Sequence, residues 1–73
     1  MSNIIRTKST VISSILYEPA RQDLTIEFKS GENYLFTPVS GEFFQKMKES
    51  KSKGKFFNSN IRNNEALTKM KIL

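Results

Sequence analysis

The sequence predicts an α+β domain: a three-stranded antiparallel β-meander packed against one α-helix, with a short C-terminal helical tail. Three observations carry this. Leu24, Ile26 and Phe28 alternate with Thr25, Glu27 and Lys29, the period of a half-buried strand. Phe43, Phe44 and Met47 form one apolar stripe at helical spacing behind a capping residue, Ser40. Pro19, Ser30-Gly31 and Pro38 separate the strand-like segments, where turn chemistry is needed.

Residues 1–10 are polar, with Ile4-Ile5 as an isolated apolar pair, and read as a flexible arm or a short edge strand. Residues 11–17, VISSILY, combine β-branched and aromatic side chains and suit a strand. Pro19 breaks that run, since it cannot donate to a ladder. Residues 24–28 and 33–37 then read as a hairpin, with Gly31 free to take a positive φ in the connection. The helix follows Ser40, with Glu42 in its first turn and lysines later, as its dipole favours. Gly54 is expected to stop it. Phe56 or Phe57, with Ile61, is expected to close the core. In the tail, residues 63–73, Ala66, Leu67, Met70 and Leu73 sit at helical spacing.

Composition bounds the functions available. Seventy-three residues make one domain at most, and 37% hydrophobic with 11% aromatic content implies a small core rich in phenylalanine. There is no histidine and no cysteine. That removes His general bases, Cys nucleophiles, Cys/His zinc sites and disulfides. We expect no metal, no cofactor and no catalysis. No run approaches a membrane span, and the N-terminus lacks the apolar core of a signal peptide, so a cytoplasmic protein without membrane contact is expected. A core this small makes a homo-oligomer a reasonable expectation.

Charge is unevenly distributed. Residues 1–39 balance four bases against four acids, whereas residues 40–73 carry eight bases against three acids. Lys51-Ser52-Lys53-Gly54-Lys55-Phe56-Phe57-Asn58 interleaves cations with aromatics. Lysines attract phosphates, glycine lets backbone approach, and an exposed Phe can stack on a base. The bland alternative is a solvated lysine face beside a helix stop and two core aromatics. The candidate ligand-binding set is Ser13, Ser14, Lys53, Lys55, Phe56, Asn58 and Arg62. Lys53, Lys55 and Arg62 would hold phosphates, Phe56 would stack if exposed, and Ser13, Ser14 and Asn58 would be polar readers. Engaging about four phosphates implies a log K versus log salt slope near −3 on a single strand.

The chain resembles a KTSC domain, the small module named for its place after some lysyl-tRNA synthetases. Ser13-Ser14-Ile15 and Tyr17 carry the resemblance, with Leu24, Ile26, Phe28, Gly31, Tyr34 and Phe36. The closing Ser52-Lys53-Gly54-Lys55-Phe56-Phe57-Asn58 with Ile61-Arg62 is its specific part, and residues 11–62 are covered. Pro38-Val39 departs from the usual order. The resemblance implies a binding module associated with RNA or nucleotides and brings no catalytic residues. The leading expectation is therefore a non-catalytic module for a phosphate-bearing ligand, most of all RNA or single-stranded nucleic acid. A homo-oligomer that sequesters a small nucleotide signal at a subunit interface is a second. A protein-interaction module using an open sheet edge or the tail stripe is a third.

Overall fold

In the computed structural model, which describes residues 3–72, five antiparallel strands form one sheet in the order β1-β2-β3-β4-β5. They are β1 (Asn3–Arg6), β2 (Ile12–Glu18), β3 (Asp23–Phe28), β4 (Asn33–Thr37) and β5 (Thr68–Ile72). Two helices, α1 (Gly41–Glu49) and α2 (Lys53–Asn60), lie between β4 and β5 in sequence. The expected meander is its centre. The N-terminal segment takes the edge-strand alternative and not the flexible arm. The rest corrects the expectation of three strands, one helix and a helical tail: the tail forms the other edge strand over Thr68–Ile72, Leu73 lying outside the described residues, and the helical region is two helices.

Each difference has a local cause. Thr68-Lys69-Met70-Lys71-Ile72 alternates strictly, and pairing with β4 over Asn33–Thr37 satisfies backbone that a two-turn helix would leave to water. The first helix stops at Ser50, whose backbone is extended, not at Gly54. Ser52 then caps a second helix by accepting a hydrogen bond from the Lys55 N–H at 3.3 Å. Gly54 sits in the first turn of α2 because a Cβ there would come within 3.2 Å of Ser9 Oγ.

The remaining elements follow the sequence. Ser40 caps α1 by accepting from the Phe43 N–H at 3.1 Å. Gly31 takes φ +96° in the β3–β4 turn, where its N–H donates to the Phe28 carbonyl at 2.9 Å. Register stacks Tyr17, Leu24 and Phe36 in one row and Ile15, Ile26 and Tyr34 in the next, all on the helix side. There Phe44 stacks on Tyr17 at 4.4 Å, and Phe57 meets Phe28 and Phe36 edge-on at 5.3 and 5.6 Å. Phe57 and Ile61 are buried, as expected of the residues closing the core. The Tyr17 hydroxyl donates to the Val39 carbonyl at 2.6 Å, tying the β4–α1 connection to the sheet. Burial pushes its pKa above the ordinary value of 10.0.

Candidate functional site

The β1–β2 loop, the β3–β4 turn and α2 meet at one end of the sheet, and two cationic hollows open there. The first is a groove of about 440 Å³ between the β3–β4 turn, β5 and the second half of α2. Its aromatic wall is Phe28, Tyr34 and Phe57, and Lys29, Arg62 and Lys69 stand around it with Asn58. Position is set by register. Tyr34 faces the helix side because Ile26 does, and Lys69 follows from its pairing with Phe36. The Lys69 ammonium lies 4.7 Å from the Tyr34 ring centroid, a cation–π contact. One turn of helix separates Asn58 from Arg62, and the guanidinium reaches the Asn58 side-chain carbonyl at 3.4 Å. Glu32 is the one acid on the groove's wall, and it is ion-paired with Lys71 at 3.2 Å. Lys29, Arg62 and Lys69 form no ion pair with a described residue. They thus present charge that no carboxylate of the described residues neutralises.

The second hollow, about 380 Å³, lies on the other side of the β1–β2 loop. Arg6, Lys8, Lys51 and Lys53 line it with Thr7, Ser9 and Ser52, and no acid does. The loop is rigidly organised. Ser9 Oγ accepts from the N–H groups of Val11 and Ile12 at 3.0 and 3.1 Å, and the Thr7 hydroxyl donates to the Ile12 carbonyl.

The residues singled out from sequence are not all brought together. Asn58 and Arg62 share the first groove. Lys53 lines the second, yet its ammonium is already engaged, donating to the Lys48 and Ser50 carbonyls at 3.0 and 2.6 Å. It thereby caps the C-terminal end of α1. Lys55 is exposed on α2. Phe56 is half-buried, edge-on to Phe43 at 5.4 Å, so the exposure that stacking on a base requires is not met. Ser14 lies on the opposite face of the sheet, its hydroxyl donating to Glu27 at 3.0 Å. Ser13 is the extra residue of a β-bulge between Ile12 and Ser14.

Sequence reasoning did not name Lys29, Tyr34 or Lys69 as ligand contacts, nor Arg6 and Lys8. Arg6, Lys8 and Lys29 belong to the charge-balanced half of the chain, and only the fold sets them beside the basic half. Lys69 had a legible signal, the alternation of residues 68–72.

Comparison with known proteins is consistent in kind. The family model described as the KTSC domain matches residues 8–64. A protein of Tsukamurella paurometabola is 33% identical over 55 residues, covering 75% of this chain and 82% of the relative. A protein of Stutzerimonas stutzeri is 35% identical over 54 residues, covering 74% and 76%. The crystal structure of a KTSC domain protein from Yersinia pestis superposes with a TM-score of 0.89 at 27% identity, covering 100% of both chains.

Proposed function

The chain belongs to the KTSC domain family, and on that premise we propose that it is a non-catalytic module binding a phosphate-bearing ligand, foremost RNA or another single-stranded nucleic acid. One observation carries the reading. Lys29, Arg62 and Lys69 surround an aromatic wall and have no carboxylate partner among the described residues. Cations of this kind hold phosphates, the planar Arg62 bidentately, and Tyr34 offers a ring at the level where a base would lie. The second hollow continues the positive surface across the β1–β2 loop, so a strand could contact both. The chain has neither histidine nor cysteine, so it offers no His general base and no Cys nucleophile, and on this reading the groove's residues bind and orient.

Fluorescence anisotropy with a labelled single-stranded RNA at low salt tests the proposal. Binding that weakens log-linearly with salt supports it; no binding, or binding indifferent to salt, refutes it.

The groove's volume favours a second reading. About 440 Å³ falls within the range of small-molecule sites, so a single chain could hold a mononucleotide without a subunit interface. Calorimetry separates the two: a nucleotide that binds as tightly as an oligonucleotide selects the small-ligand reading.

A further inference from the structure

We propose that the second hollow is a seat for a terminal phosphate, the phosphomonoester at the end of a strand or on a nucleotide, in preference to the diester inside a chain. The proposal deepens the phosphate-binding reading and rests on it for the class of ligand. The chemistry of the lining carries it. Arg6, Lys8, Lys51 and Lys53 line a hollow of about 380 Å³ that has no acid among its described lining residues. The groove across the β1–β2 loop has an aromatic wall of Phe28, Tyr34 and Phe57. The hollow has no aromatic residue, and Ile5 is its one apolar side chain among the described residues. An internal phosphodiester brings a nucleoside on either side, and a base finds no stacking platform here. A terminal phosphate brings only one nucleoside, which is free to lie outside the hollow.

Charge makes the same distinction. The Lys53 ammonium is committed to the Lys48 and Ser50 carbonyls. Arg6, Lys8 and Lys51 form no ion pair with a described residue. A diester carries a single negative charge, whereas a phosphomonoester carries about 1.5 to 2 at neutral pH and offers three acceptor oxygens. Uncommitted cations gathered without a carboxylate match the monoester, because each can meet its own oxygen in a charge-assisted hydrogen bond.

The backbone that carries these cations is already fixed. Arg6 ends β1, paired with Ser14. Lys8 lies between two anchored residues: the Thr7 N–H donates to the Ser13 carbonyl at 3.2 Å, and Ser9 Oγ accepts from the Val11 and Ile12 N–H groups. The loop is tied in turn to β3 and its turn by the Lys29 N–H, which donates to the Val11 carbonyl at 2.8 Å. On the other wall, Lys51 lies between two serines that bond reciprocally. The Ser50 hydroxyl donates to the Ser52 carbonyl at 3.0 Å and accepts from the Ser52 N–H at 3.2 Å. Gly54 has no side chain to hold the walls apart, and a Cβ there would come within 3.2 Å of Ser9 Oγ. Binding therefore orders side chains and not backbone, which lowers its entropic cost.

Anisotropy titrations of the full chain with one single-stranded RNA in three forms, 5′-phosphorylated, 3′-phosphorylated and hydroxyl at both ends, test this. A phosphorylated form should bind roughly tenfold tighter than the hydroxyl form, the worth of an added charge-assisted contact. The preference should shrink below about pH 6, where the phosphate loses its second ionisation, and the chain has no histidine to titrate there. Arg6→Gln with Lys51→Gln should abolish the preference, whereas Arg62→Gln should weaken all three forms alike. Equal binding of the three forms, or a preference that survives Arg6→Gln with Lys51→Gln, overturns the proposal and leaves the wider phosphate reading standing. A second measurement needs neither RNA nor a variant. Methyl phosphate, followed by amide NMR shifts, should move Lys8 and Lys51 and not Lys29 or Lys69, and dimethyl phosphate should move none of them. If RNA fails to bind but methyl phosphate gives those shifts, the seat stands and the RNA reading falls. No shift, or equal shifts with the two esters, overturns the proposal.

Discussion

Replacing Arg62 by Gln isolates the geometry of the groove from bulk charge. Three cations surround the groove, Lys29, Arg62 and Lys69, and three of the second hollow, Arg6, Lys8 and Lys51, have ammonium or guanidinium groups not already committed to carbonyls as Lys53 is. If a single strand crosses both, six phosphate contacts at about 0.7 each give a log–log salt slope near −4. That slope costs roughly 300-fold in affinity between about 50 and 200 mM salt. Arg62→Gln removes one contact, bringing the slope to about −3.5 and the loss to roughly 130-fold. Anisotropy titrations at four or more salt concentrations resolve this difference. Lys46→Gln and Lys48→Gln, on α1 away from both hollows, change net charge equally and should leave the slope unaltered. The reasoning fails if the α1 variants lower the slope as much as Arg62→Gln, for then net charge and not placement governs binding. A wild-type slope near −2 instead confines the ligand to the first groove.

Further tests concern the scaffold that holds the site. Tyr17→Phe should cost about 1 kcal/mol in urea unfolding, the net worth of the hydrogen bond to the Val39 carbonyl. The Tyr17 pKa is raised in the folded state, so its contribution is full below the unfolded value of 10.0 and is lost as pH rises through the higher folded value. Alkaline destabilisation above that pH should be smaller in Tyr17→Phe, and an unchanged profile would count against the assignment. Gly54→Ala should destabilise despite alanine's helix propensity, because Ser9 Oγ, 3.2 Å from the added Cβ, is pinned by the Val11 and Ile12 N–H groups. The penalty should shrink in a Ser9→Ala background, and additive costs would show that the two positions do not touch. Phe57→Ala removes a ring packed against both Phe28 and Phe36. At about 3–5 kcal/mol, as much as a core this small supplies, it should leave no cooperative thermal transition.

Much of the central meander was legible because its signals are local. Leu24, Ile26 and Phe28 alternate against polar neighbours, Gly31 marks the turn, and Ser40 caps a helix whose stripe needs no tertiary information. The edges were only partly legible. Residues 1–10 read as an edge strand only as an alternative to a flexible arm, and although residues 68–72 alternate, Leu67, Met70 and Leu73 fit a helical period as readily. Helix breaking misled as well. Gly54 reads as a stop, but it is a point of close approach between α2 and the β1–β2 loop, and Ser50 ends α1 instead.

The candidate site divides along that line. Composition alone determined a small, cysteine-free domain with surplus positive charge, since counting residues requires no neighbours. The family likeness of the closing segment was carried by adjacent residues, Ser52 to Asn58 with Arg62. Which cations stand together was decided by the fold. Lys29 from a turn, Arg62 from a helix end and Lys69 from an edge strand converge because strand register and the path of α2 bring them there. Lys53, in the basic segment that the sequence singles out, is instead committed to the end of α1. Electrostatic attraction depends on distance through space, and the chain sets that distance only after β5 returns to close the sheet.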